Sequence, residues 1–382
     1  MTEISIRAKK VLTDLGWIEN STVTAINGVI TAIKACDEGA IGNNQFDVDR
    51  LVPAFIDTHV HGGAGVDVMD GHHDALNTLS TYLASQGVGA FLATTVTAPF
   101  EDIEAALKQV SNSYFQGVDG AELLGGYLEG PYFTPENKGA HPESLFRELD
   151  VSELCHWIDI SNNTLKVVAL APEKKGAITA IQYLKSRGVN VMLGHSAADY
   201  EMTSSALEAG ADGLVHCFNG MKGVHHREPG AVGAGLSHDS ALLELIADGH
   251  HVHPAVMKVC CRCAPNRLVL ISDAMRAAGM PDGPYLLGEM PVMMKNGVVR
   301  TESGGLAGST LSLSQAVRTL VNEVGESLEN AINMATITPA KLLGVADRLG
   351  SIAIGKSASF VSLTESLDVS ATWVNGKQVW PN

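Results

Sequence analysis

Residues 54–61 read Ala54-Phe55-Ile56-Asp57-Thr58-His59-Val60-His61, and this stretch decides the fold. It starts as an unbroken apolar run and ends in a carboxylate and two imidazoles. An apolar run without alternation suits a strand buried on both faces, as in a parallel sheet. In its polar end, His59 and His61 are two residues apart, and alternate residues of a strand point to the same side. Both rings can therefore face one ion.

The same pattern recurs along the chain. Further short apolar runs lie at Val88–Val96, Leu123–Leu128, Leu165–Leu170 and Val189–Leu193, then at Gly213–Val215, Leu242–Ala247 and Leu268–Ile271. Helix-like segments separate them, among them Ala75–Ser85, Ile103–Val110, Ala177–Ser186 and Ala255–Cys261. Eight strand-then-helix units predict an α/β fold, a (β/α)8 barrel of the TIM type. A doubly wound sheet gives the same rhythm and is the second choice. Both ends of the chain differ from this middle. Ile4–Leu12, Val23–Ile33, Ala358–Leu363 and Thr372–Trp380 read as β-rich, with turns at Asn27-Gly28 and Asn375-Gly376.

Composition narrows the function. The chain has 382 residues, enough for a large enzyme domain and a smaller one. Apolar residues make up 45% and the formal net charge is -16, so a large core is expected and anionic polymers are repelled. We therefore expect no nucleic-acid and no membrane partner. No apolar run reaches the roughly 18 residues of a membrane span. The N-terminal residues alternate like a strand and do not form the apolar core of a signal peptide. The six cysteines lack the spacing of a disulfide framework or a zinc knuckle and read as free thiols of a cytoplasmic protein.

Barrel enzymes carry their chemistry at the C-terminal ends of the strands. Here the run ends are Asp57-Thr58-His59-Val60-His61, Glu129-Gly130-Pro131, Gly194-His195-Ser196, His216-Cys217-Phe218-Asn219 and Ser272-Asp273-Ala274. A lone histidine after a strand is usually a structural residue, and a lone Asp or Glu there is often a helix cap. Five polar ends in register with the strand rhythm are a different matter. They predict imidazoles and carboxylates converging above the barrel, a ligand set for a divalent ion.

The first of these stretches, Pro53 to Gly63, resembles the opening strand of the amidohydrolase superfamily. Further motifs follow in order: Tyr127-Leu128-Glu129-Gly130-Pro131, Lys138-Gly139-Ala140-His141, His216-Cys217-Phe218-Asn219-Gly220-Met221 and Arg227-Glu228-Pro229-Gly230. Asp248-Gly249-His250-His251-Val252, Ser272-Asp273-Ala274 and Leu306-Ala307-Gly308-Ser309 continue the series. From about residue 50 onward their order and spacing resemble the N-acetylglucosamine-6-phosphate deacetylase family. Each motif is weak alone, and the joint order is specific.

The resemblance implies a small β-sandwich domain built from both chain termini, residues 1–52 with 350–382, around a barrel of residues 53–349. It implies Glu129, His195 and His216 as metal ligands, with His59 and His61 open to a second ion. Glu129 stands where some relatives of the superfamily use a carboxylated lysine. One or two divalent ions are expected, zinc first, with iron, manganese or cobalt as alternatives of the same ligand chemistry. Asp273 is the implied general base and acid, and His141 the implied donor to the substrate carbonyl. Ala140, His141, Asn219, Gly220, Arg227, Asp248, His251, Leu306, Ala307 and Gly308 are the implied contacts to a phosphorylated amino sugar. Arg227 is expected to reach the active site of a neighbouring subunit, which implies a homodimer. A deacetylase for the galacto epimer, a cyclic amidase, an N-acyl-amino-acid deacylase and a silent scaffold of the same fold are the competing readings.

Overall fold

The computed structural model describes residues 2–36 and 45–381. All eight apolar runs become strands of one parallel sheet: β1 (Phe55–Val60), β2 (Val88–Thr94), β3 (Glu122–Glu129), β4 (Leu165–Leu170), β5 (Asn190–Leu193), β6 (Gly213–Leu214), β7 (Leu242–Leu245) and β8 (Leu268–Leu270). They are hydrogen-bonded in sequential order. The circle closes just beyond β8, where Ala274 bridges Val60 and the Asp273 N–H donates to His59 O at 2.9 Å. The expected barrel is therefore what forms.

β1 and β2 are buried along their whole length, which explains why no polar alternation marks them. Ile56, Leu92, Leu124, Val167, Ala169 and Met192 share one cluster inside the barrel. Their neighbours in sequence, such as Phe55, Phe91, Leu123 and Val168, pack outward beneath the helices. The helices His73–Ser85, Phe100–Gln116, Ala177–Ser186 and Pro254–Cys263 cover the four helix-like segments named above. Others begin at carboxylate caps: Asp150 accepts from the Ser152 N–H, and Asp199 from the Met202 N–H.

The two ends of the barrel are closed differently. At the N-terminal end, Ala340 and Leu349 join the interior cluster, with Leu343, Val345 and Ala346 packed against it. At the C-terminal end, an antiparallel sheet of Gly283–Leu287, Met290–Lys295 and Val298–Thr301 lies beside the mouth. It is fastened by Leu287, Val292, Met294 and Val299 packing on Val96, Met275 and Ala277. The sequence reading did not anticipate this insert.

The chain termini meet in a seven-stranded sheet. Its order is Lys377–Trp380, Val369–Val374, Phe360–Leu363, Gln45–Pro53, Glu3–Thr13, Gly16–Ile26 and Val29–Ala35. Hydrogen bonds from Ile30 N–H to Lys356 O and from Ala358 N–H to Gly28 O bring its far edge back to the C-terminal segment. Ile6, Val23, Ile30, Phe360 and Trp373 fill the space the sheet wraps around. Strand Gln45–Pro53 runs on through Ala54 into β1, so the terminal sheet is tied to the strand that carries His59 and His61.

Candidate active site

Five strand ends bring their polar residues to one point. Glu129, the last residue of β3, lies at the centre and is buried. Its Oε1 stands 3.0 Å from His216 Nε2, 3.3 Å from His195 Nε2 and 3.5 Å from His59 Nε2. Its Oε2 stands 3.2 Å from His61 Nε2 and 3.5 Å from His141 Nε2. Asp273 Oδ1 completes the group, 3.2 Å from His61 Nε2 and 3.7 Å from His59 Nε2.

The outer nitrogens of the rings decide what the inner ones can do. His61 Nδ1 faces Thr94 O at 3.2 Å, His195 Nδ1 faces Asn137 O at 3.1 Å, and His216 Nδ1 faces Asn219 O at 3.1 Å. His59 Nδ1 faces Glu244 Oε2 at 3.1 Å. A carbonyl or carboxylate oxygen can only accept, so all four rings donate through Nδ1 and turn the Nε2 lone pair inward. His141 is the reverse case. Its Nδ1 accepts from the Thr97 N–H at 3.3 Å, so its Nε2 carries the proton. Four imidazoles are thus set as ligands and one as a donor.

Lone pairs facing one another repel unless a cation lies between them. The Nε2 atoms of His195 and His216 are 3.0 Å apart, and those of His59 and His61 are 3.3 Å apart. This donor set fits a divalent ion, with the second nitrogens held by outer partners as metal-bound histidines require.

The backbone is bent to achieve this. His195, His216 and Asp273 all have positive φ, at 46°, 25° and 48°. Each costs about 1–3 kcal/mol for a residue with a side chain, and such strain gathers at functional sites. Two glycines give the His195 ring its room. A Cβ on Gly220 would meet His195 Nδ1 at 2.9 Å, and one on Gly139 would meet His195 Cε1 at 3.1 Å.

A cavity of about 700 Å³ opens over the cluster. Of the residues expected to contact substrate, Ala140, His141, Asn219, Gly220, His251, Leu306 and Gly308 line it. Ala307 is buried beneath that wall in the cluster that anchors the insert. Asp248 lies behind His251 and accepts from its Nδ1 at 2.7 Å. Arg227 is exposed on the segment 222–228 and does not line the cavity. Among the described residues, no lysine or arginine lines it.

With this geometry in place, the chain can be set beside known proteins. The amidohydrolase family profile matches residues 50–379. The chain belongs to the amidohydrolase family. It is 56% identical over 377 residues to an N-acetylgalactosamine-6-phosphate deacetylase of Escherichia coli O157:H7, covering 99% of each. It is 55% identical over 381 residues to an N-acetylglucosamine-6-phosphate deacetylase of Vibrio furnissii, covering 98% of this chain and 94% of the relative. Among solved structures, a mutant N-acetyl-D-glucosamine-6-phosphate deacetylase of Mycobacterium smegmatis in complex with N-acetyl-D-glucosamine-6-phosphate superposes with a TM-score of 0.94 at 31% identity. That match covers 99% of this chain and 100% of the other.

In this amidohydrolase site, burial opposes charge and the contacts restore it. Burial pushes Glu129 up, yet the imidazoles of His59, His141, His195 and His216 around it hold it well below the usual carboxylate range. Burial also raises Asp273, and is outweighed by the His61 hydrogen bond and the neighbouring imidazoles, which bring it to about 2. Burial lowers His61, but its bonds to Asp273 and Glu129 lift it to about 9. His195 goes the other way: burial and the neighbouring His141 take it down to about 4, against the pull of Glu129. Glu129 and Asp273 are therefore anionic near neutral pH and His195 is neutral, the forms that bind a divalent metal. His59, His61 and His216, held above the usual imidazole range by the carboxylates beside them, give up a proton when an ion binds.

Sequence reasoning missed several residues of the amidohydrolase site. Thr97 fixes the His141 ring, and its only sequence signal is a position just past a strand end. Leu287, Glu289 and Met290 reach the cavity from the insert, which no motif announced. Glu244 interrupts an apolar run, and that lone carboxylate was a legible signal.

Proposed function

We propose that this chain hydrolyses the N-acetyl amide of N-acetylglucosamine-6-phosphate, giving acetate and glucosamine-6-phosphate. The observation that carries the reading is the split among the five histidines, four presenting lone pairs and one presenting a proton. Amide hydrolysis needs both: ligands for a Lewis acid, and a donor for the carbonyl oxygen. The relatives named above act, by name, on N-acetylated hexosamine 6-phosphates.

Glu129, His195 and His216 would hold the ion, with His59 and His61 available for a second. A divalent ion supplies Lewis acidity, lowering the pKa of water toward neutrality and polarising the amide carbonyl. Zinc suits the nitrogen-rich set best, and iron, manganese and cobalt share its ligand preferences. Asp273 takes the proton of the attacking water through its carboxylate. The carboxylic acid so formed protonates the leaving amine, which is why one residue serves both steps. His141 donates from Nε2 to the acetyl oxygen as negative charge develops there.

The sugar phosphate sits against Asn219, the Gly220 amide, His251 and the wall from Leu306 to Gly308. Among the described residues, the cavity wall itself supplies no lysine or arginine. Arg227 of a neighbouring subunit provides the planar cation in a homodimer. Replacing Arg227 with Ala is then expected to raise KM about tenfold or more, with kcat little changed and metal content intact. An unchanged KM removes Arg227 from the site. The acidic surface is suited to a cytoplasmic enzyme acting on a small metabolite.

One observation favours the galacto epimer as a second reading: the E. coli O157:H7 relative is as similar as the Vibrio one. Acetate release from zinc-loaded protein separates them. N-acetylglucosamine-6-phosphate, N-acetylgalactosamine-6-phosphate and unphosphorylated N-acetylglucosamine are compared. Fast release from the gluco phosphate is expected. A preference for the galacto phosphate transfers the mechanism to that substrate, and no release from any of them refutes the deacetylase reading.

A further inference from the structure

Glu244 stands in the middle of β7, flanked by Leu243 and Leu245. Those two leucines pack outward with the helix layer, so strand alternation turns Glu244 into the barrel. It is wholly buried there. Its Oε2 accepts from His59 Nδ1 at 3.1 Å and from the His216 backbone N–H at 3.4 Å. Its Oε1 has no hydrogen-bond partner among the described residues. Its side-chain hydrogen bonding is thus directed at two residues of the cluster.

Two features set this contact apart. The Nδ1 atoms of His61, His195 and His216 rest on backbone carbonyls, whereas His59 rests on a carboxylate. A carboxylate partner fixes the ring tautomer and makes the other nitrogen a stronger ligand. The second feature is charge. Glu129, Asp273 and Glu244 are three buried carboxylates in one group of contacts. A single divalent ion offsets two of these charges and leaves the third to be met by a protonated imidazole or by a second ion, because buried charge is strongly disfavoured unless paired. Asp57, another buried carboxyl of the first strand, is met by the backbone N–H groups of His59 and Ser272.

We propose that Glu244 is a positioning residue that holds His59 with Nε2 toward Glu129, and thereby sets the affinity of a second cation position formed by His59, His61 and Glu129. The inference rests on the divalent-metal reading of the site and not on which amide is hydrolysed. It also separates the two halves of the cluster: His195 and His216 do not depend on Glu244 for their ring orientation.

The test uses zinc alone. Full-length protein is stripped with a chelator, reloaded with graded zinc, and assayed for bound metal by elemental analysis and by competition with a chromophoric chelator. Wild type is expected to bind two equivalents. Glu244→Gln keeps an acceptor for Nδ1 but loses the charge, and should weaken the second equivalent at least tenfold while leaving the first unchanged. Glu244→Leu should bind one equivalent only. In zinc-loaded protein with ¹⁵N-labelled histidine, the His59 Nδ1–H resonance should be present in wild type and altered in both variants. A single equivalent in wild type overturns the proposal. So does a Gln variant with two unchanged affinities, or one that loses both ions together. If the Leu variant does not fold, the near-isosteric Gln variant decides alone.

Discussion

The strand β3 begins with one glutamate and ends with another, and the two are built to opposite specifications. Glu122, at the N-terminal end, is partly exposed and paired with the Arg348 guanidinium at 2.7 and 3.0 Å. Glu129, at the C-terminal end, is buried among five imidazoles and has no arginine or lysine partner among the described residues. The whole barrel repeats this contrast. Its floor is apolar and closed by Ala340 and Leu349, and its mouth is polar, charged and bent at His195, His216 and Asp273. One end contributes stability, and the other spends some of it on geometry that only a bound ion and substrate can use.

That contrast is sharpest at Asp273. Asp273→Asn removes the group that moves the proton but keeps its shape. Turnover should fall about 10³-fold, within the usual range for a lost acid–base group. Zinc content measured after gel filtration should stay at the wild-type value, because Glu129, His195 and His216 are untouched. An active variant breaks the assignment. His141→Ala should cost about 10²-fold in kcat, the scale of one lost oxyanion donor. It too should keep its metal, because Nε2 carries a proton and offers no lone pair to an ion. Loss of zinc from this variant would show that His141 is a ligand after all.

The floor should answer in the other currency. Leu349 is 5% exposed and belongs to the interior cluster. Leu349→Ala should lower unfolding stability by about 2–5 kcal/mol, read from the denaturant midpoint. Its kcat/KM, measured well below that midpoint, should stay within about twofold of wild type, since ΔΔG values at distant sites add independently. A large loss of kcat/KM in the folded variant would mean that the two ends communicate through the barrel.

The same contrast explains what the sequence made legible. Strands buried on both faces are mostly apolar, so β1 to β5 and the shorter β6 to β8 stood out as runs. Their polar ends stood out because polar residues are rare beside such runs. The terminal strands were equally visible, with Asn27-Gly28 and Asn375-Gly376 marking the turns between them. Long-range placement was not visible. Nothing local to Gly283–Thr301 says that this hairpin sheet packs on Met275 and Val96 and lends Leu287 and Met290 to the cavity. Arg227 was found as a motif, yet its absence from the cavity wall of its own chain is a property of the fold. Tautomers were hidden for the same reason, since Thr97 and Asn137 reach His141 and His195 only after folding.

The smallest effect belongs to the glutamate at the other end of β3. Glu122 and Arg348 form a two-pronged ion pair, with side chains 27% and 40% exposed. Water screens such a pair, and ordering the arginine chain offsets part of its attraction. Glu122→Gln should therefore cost about 0.5–1 kcal/mol in unfolding free energy. Zinc binding and kcat should not change, because the residue lies seven positions back along the strand from Glu129. The comparison with Glu129→Gln is then direct. The same substitution at the far end of one strand should abolish metal binding at His195 and His216, since it removes the one carboxylate among the described residues that touches both rings. If Glu122→Gln proves as damaging to metal content as Glu129→Gln, the ion pair at the floor is setting the register of β3 rather than closing a surface gap. The division between a stabilising floor and a chemical mouth would then have to be abandoned for this strand.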